Sequence, residues 1–184
     1  MTEGRLLRIR NGLELHRLGA MLFMLGVGAL AAGSSLADAH YGRVALLLVW
    51  VPGPLLGLAG SWAMGSWIAL VFNLMGLGLL VAGIPEGGVP LCAIGAMGTL
   101  AFAQKLAPQV GVDIRGRSPL LLALPLGICL LSGALAIQGH EWLFPVVAAS
   151  IVFSFLAMSL VYSLALGRLA RGIEAELERR FRVL

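Results

Sequence analysis

From Val44 to Pro85 the chain runs 42 residues without an acidic or basic side chain. Drawn as one helix, that stretch would be about 63 Å long at 1.5 Å per residue. The hydrocarbon core of a bilayer is only about 30 Å thick. The stretch is therefore expected to fold back on itself as two membrane spans. The segment Ser61–Trp67 is the expected turn. Its glycine and serines, Gly65, Ser61 and Ser66, tolerate a reversal, and Trp62 and Trp67 suit the headgroup level.

Charges divide the rest of the chain in the same way. Uncharged runs extend from Leu18 to Ala37 (20 residues), Gly87 to Gln104 (18), Ser118 to Gly139 (22) and Trp142 to Gly167 (26). Composition agrees with a chain made mostly for lipid: 59% hydrophobic and 12% charged, with a mean hydropathy of +0.95. A soluble domain is nearer half apolar and a quarter charged. The fold class that follows is an all-α polytopic integral membrane protein, a bundle of six transmembrane helices near 18–37, 43–62, 66–84, 88–106, 119–138 and 143–167. The first run is too long for the apolar part of a cleavable signal peptide and is read as a retained helix.

The net charge of +4 does not point to nucleic acid, because the basic residues cluster beside the apolar runs. With both ends cytoplasmic, the inner segments hold Arg5, Arg8, Arg10, Arg17, Lys105, Arg115, Arg117, Arg168, Arg171, Arg179, Arg180 and Arg182. Outer loops hold only Arg43, beside Asp38, Glu86 and Glu141. That asymmetry fits the positive-inside rule, and compact loops with Arg-, Ala- and Gly-rich usage suggest a bacterial inner membrane.

Three regions result: a cytoplasmic amphipathic segment over 1–17, the six-helix transmembrane domain over 18–167, and a cytoplasmic amphipathic helix over 168–184. Leu6, Ile9 and Leu13 form an apolar stripe in the first, and Leu169, Ile173, Leu177 and Phe181 in the last. Both are expected to lie on the inner leaflet or, for the last, to extend the sixth span. Docking onto a partner is the second reading.

A 3+3 inverted repeat is suggested by similar openings, Gly42-Arg43-Val44-Ala45-Leu46-Leu47-Leu48 and Gly116-Arg117-Ser118-Pro119-Leu120-Leu121-Leu122. Each is followed by proline: Pro52 and Pro54 in the second span, Pro125 in the fifth. Proline removes a backbone donor, and broken helices at matching places in two halves point to a transporter's central site. The candidate path comprises Pro52, Gly53, Pro54, Asn73, Pro125 and Ser132, with Asn73 as the most polar group at depth. Thr99, Gln104 and Tyr162 are other polar groups within the spans. Small residues mark helix-packing faces: Gly53 and Gly57, Gly95 and Gly98, Ser150 and Ser154.

Catalytic chemistry is not indicated. No acidic or basic residue lies deep in a span, and nucleophile, P-loop and zinc-protease motifs are missing. His16 is expected at the inner surface. His40 and His140 fall in outer loops beside Asp38 and Glu141 and are the candidate metal ligands, read here as surface histidines. Cys92 and Cys129 are read as small apolar residues. No cofactor is expected. The expected function is a small channel or transporter for a small neutral or weakly charged solute. Its expected partners are the lipid bilayer and either further copies of the chain or other membrane subunits. The alternative is a non-catalytic transmembrane subunit of a larger complex.

Overall fold

Proline and glycine set three of the helix ends, at Pro52, Gly65 and Pro85. The computed structural model describes residues 1–33, 51–82, 84–114 and 144–182. Those residues form helices α1 (Glu3–Gly33), α2 (Pro52–Met64), α3 (Trp67–Val81), α4 (Pro85–Leu106) and α5 (Phe144–Phe181), with a 3₁₀ turn at Ala107–Val110 after α4. Among the described residues the fold is all-helical. Two stretches, Leu91–Val110 and Leu156–Phe181, are long and apolar enough to cross a membrane, and Trp67–Val81 is a shorter apolar helix.

Proline opens α2 and α4, where the missing N–H has no helical partner to lose. The turn between α2 and α3 is tighter than the seven-residue segment expected. Ser61 and Trp62 still belong to α2, and the reversal occurs at Gly65 and Ser66. Gly65 takes a left-handed conformation (φ 72°), the Gly65 N–H donates to the Trp62 carbonyl, and the Ser66 N–H donates to the Ser61 carbonyl. Both bonds satisfy carbonyls that the helix end would orphan. Trp62 and Trp67 flank the turn as an edge-to-face pair with centroids 6.3 Å apart.

Helix α1 lies antiparallel to both α2 and α5. Backbone meets backbone along α1 and α2, Gly19 against Gly53 and Gly12 against Gly60. Along α1 and α5, Arg10 pairs with Glu174 at 2.9 Å, and Arg180 Nη1 donates to the Met1 carbonyl. Along the same pair of helices Leu6, Ile9 and Leu13 pack in one cluster with Leu166, Leu169, Ile173 and Leu177. The two terminal stripes thus cover each other; of the C-terminal stripe only Phe181 is exposed. Neither helix breaks at the expected region boundaries, since α1 runs through 17/18 and α5 through 167/168.

Outward faces are apolar. Leu18, Leu22 and Leu25 of α1, Ile68, Val71, Leu74 and Met75 of α3, and Leu160 and Leu164 of α5 are all exposed.

Candidate functional site

The two terminal stripes, followed inward, end on a polar pair. His16 continues the series Leu6, Ile9, Leu13 by one more helical step, and Tyr162 does the same for Leu177, Ile173, Leu169 and Leu166. The Tyr162 hydroxyl lies 2.9 Å from His16 Nδ1. On the other side of the ring, His16 Nε2 lies 3.0 Å from Ser61 Oγ and 3.3 Å from Thr99 Oγ1. One side chain from α1 therefore ties together α2, α4 and α5. Asn73 brings in α3, its Nδ2 donating to Ser61 Oγ at 3.3 Å.

Hydrogen counting fixes the donors. A serine or threonine hydroxyl has one proton to give. Ser61 gives its proton to the Gly57 carbonyl (2.7 Å), and Thr99 gives its proton to the Gly95 carbonyl (3.2 Å). Toward His16 both oxygens can only accept, so His16 Nε2 carries a hydrogen shared between them. Its partners among the described residues are the neutral hydroxyls of Ser61, Thr99 and Tyr162, and His16 is 5% exposed. An imidazolium buried among neutral partners would be costly, so the ring is neutral and Nδ1 accepts from Tyr162. The same count orients Asn73: Ser61 Oγ must accept from it, so the amide nitrogen faces Ser61 and Oδ1 faces away.

Two glycines bracket the Asn73 amide. A Cβ on Gly95 would fall 2.9 Å from Asn73 Cγ, and one on Gly57 would fall 3.3 Å from Asn73 Oδ1. Both positions are occupied by glycine because the amide fills the space.

Beside this network lies a cavity of about 90 Å³. That is well above the ~10–15 Å³ that one water molecule needs. His16, Asn73, Ser159 and Tyr162 give it a polar side; Phe23, Leu80, Ala93 and Met158 give it an apolar one. Gly53, Pro54 and Gly57 close it along α2, and Cys92, a free thiol, borders it from α4.

The expected path residues fall as follows. Pro54, Gly53 and Asn73 line the cavity, whereas Pro52 sits at the first position of α2 outside its lining. Pro125 and Ser132 lie outside the described residues. Of the packing residues, Gly53 meets α1, Gly57 and Gly95 meet Asn73, and Gly98 meets Ile68 and Ala69. Ser150 and Ser154 lie on α5, with side chains outside the described part. His40 and His140 also lie outside it, and among the described residues no three His, Cys, Asp or Glu side chains gather to hold a metal.

His16, expected at the inner surface, is buried between the helices at the centre of the polar network. Ser61, expected in a turn, is buried with it. No protein family, curated protein or solved structure matches the chain.

Proposed function

We propose that the protein is a six-span inner-membrane channel or transporter, with both termini cytoplasmic, that passes a small neutral or weakly charged solute through the cavity beside Asn73. The observation that carries this reading is that polar side chains gather inside the bundle beside that cavity while large apolar side chains face outward. Buried positions hold His16, Ser61, Asn73, Thr99 and Ser159, while exposed positions hold Leu25, Ile68, Leu74, Met75 and Trp67. In water such apolar faces favour association; against lipid tails they are the ordinary surface, and polar groups turn inward.

Helix lengths support the same picture. At 1.5 Å per residue, α1 is roughly 46 Å long and α5 roughly 57 Å. Both exceed the ~30 Å hydrocarbon core, and both carry their charges at the shared end, Arg5 to Arg17 and Arg168 to Arg182. We place that end in the cytoplasm as a short two-helix extension. Its Leu- and Ile-rich core suits water, where burial of apolar side chains stabilises packing. The Gly19–Gly53 contact and the cavity suit the membrane part, with His16 at its inner edge beside Arg17.

Purified protein in liposomes tests this reading by stopped-flow light scattering with small neutral solutes such as urea and acetamide. Flux above that of protein-free vesicles, altered by Asn73→Leu, is the expected result. Flux equal to the protein-free rate, together with co-purification of other membrane subunits, would replace it with the reading of a non-catalytic subunit.

A further inference from the structure

The hydrogen bonds around His16 leave a specific set of polar atoms unspent, and the residues that carry them line the cavity. Asn73 gives one N–H to Ser61, and its Oδ1 accepts no hydrogen bond among the described residues, although the side chain is only 4% exposed. Ser159 is equally buried and makes no hydrogen bond to a described residue. Tyr162 spends its proton on His16 Nδ1 and retains oxygen lone pairs. A buried polar group without a partner costs roughly 1–3 kcal/mol. Two such groups, unpartnered among the described residues and on the wall of one cavity, point to a place that a small polar molecule can fill.

Resting on the permeation reading above, we propose that the cavity is a binding site for a small neutral solute with an N–H or O–H donor at one end and a short apolar group at the other. A primary amide of the size of acetamide has this chemistry. Its N–H donates to Asn73 Oδ1, its carbonyl accepts from the Ser159 hydroxyl, and its methyl group meets Phe23, Leu80 and Met158. Among the described residues no acidic or basic side chain lines the cavity apart from the neutral His16. An ion would therefore enter without a counter-charge, at a high desolvation cost. A solute that only accepts hydrogen bonds would leave Asn73 Oδ1 unpaired. Sites that hydrogen-bond a donor reject analogues lacking it more strongly than apolar pockets reject a missing methylene.

The chain has two asparagines, Asn11 and Asn73. Selective ¹⁵N-asparagine labelling of the full chain in nanodiscs therefore gives two side-chain amide pairs, assigned by Asn73→Leu. Titration with acetamide is expected to shift the Asn73 pair saturably and leave the exposed Asn11 pair in place. Acetone, nearly the same size but without a donor, is expected to bind at least about tenfold more weakly. Ser159→Ala is expected to weaken acetamide binding about tenfold. Equal response to acetamide and acetone, or no saturable shift with acetamide, would overturn the proposal. Binding with this preference but no flux in liposomes leaves the site standing and removes the permeation reading. Flux without the preference does the reverse.

Discussion

The carbonyl oxygen of Gly12 occupies the space that a side chain on Gly60 would need: a Cβ built there would fall 2.6 Å from that oxygen and 2.6 Å from His16 Cδ2. Backbone cannot yield as the tip of a side chain can, so α1 and α2 would have to separate. Gly60→Ala is expected to destabilise the fold by about 1–3 kcal/mol, the usual cost of overpacking. Gly78, on the same hairpin, has nothing within 4 Å of its Cβ position. Gly78→Ala should be neutral or stabilise by roughly 0.5–1 kcal/mol through helix propensity. Thermal melts of the two variants in one detergent check the contrast; equal melting temperatures would refute it.

At the shared end of α1 and α5, packing should outweigh charge. Ile173 and Leu169 are fully buried, whereas the Arg10–Glu174 pair is largely exposed. Ile173→Ala is expected to cost about 2–5 kcal/mol. A double-mutant cycle on Arg10 and Glu174 should give no more than about 1 kcal/mol. Phe181, at 60% exposure, should tolerate Ser, while Leu177, at 6%, should not. Protease cleavage of the tail reports both comparisons.

The helical class, a break at Pro52 and Pro54 and the reversal before Trp67 were legible in the sequence, because glycine, proline and charge act locally; the break was read inside a span over 43–62, whereas α2 begins at Pro52. The burial of His16 was not read from it, although a signal was present. Arg17 beside it marks a water-facing boundary, and that local cue outweighed the periodic one. Yet the spacing 6, 9, 13, 16 puts His16 on the buried stripe of α1, and 177, 173, 169, 166, 162 puts Tyr162 on that of α5. The stripes themselves were visible; that they cover each other was not, since a stripe seeking lipid and a stripe seeking another helix have the same period. Ser61 was hidden for a related reason: serine near glycine reads as a turn, and only the bond from the Ser66 N–H to the Ser61 carbonyl places it one residue-turn earlier, inside α2.

The donor assignment at His16 has a direct spectroscopic consequence. In the ¹⁵N spectrum of the ring, Nε2 should appear protonated and Nδ1 unprotonated. Tyr162→Phe removes the donor to Nδ1 and leaves a buried acceptor unpaired, at a cost of about 1–3 kcal/mol. Its Nδ1 resonance should move by more than its Nε2 resonance, because Ser61 and Thr99 remain in place. A spectrum with the proton on Nδ1 would overturn the assignment: His16 would donate to the Tyr162 oxygen, and Nε2 would accept from one of Ser61 and Thr99.

Single-cysteine labelling tests the proposed orientation. In a background with Cys92 and Cys129 replaced by Ala, Glu86→Cys should react with an impermeant maleimide added outside, and Arg171→Cys only after permeabilisation. Reaction of both from the same side would contradict the six-span topology with cytoplasmic ends.

Gly95 offers a way to move Asn73 without changing it. A Cβ at Gly95 would lie 2.9 Å from both Cγ and Nδ2 of Asn73. The amide is held on its other side by Gly57, so it cannot simply swing away. Gly95→Ala should therefore break the bond from Asn73 to Ser61 and turn Oδ1 out of its place at the cavity. Helix content should be unchanged, since alanine favours the helix more than glycine does. Gly98, one turn along α4, is the control. Its added Cβ would meet Ile68 Cγ2 at 3.3 Å, a contact that a small side-chain shift relieves. The Asn73 side-chain resonances should shift strongly in Gly95→Ala and little in Gly98→Ala. Solute flux should follow the resonances, falling in the first variant toward the level of Asn73→Leu and staying near wild type in the second. Unchanged flux in Gly95→Ala with a displaced Asn73 amide would separate that side chain from the path and leave its role as a tie between α2 and α3.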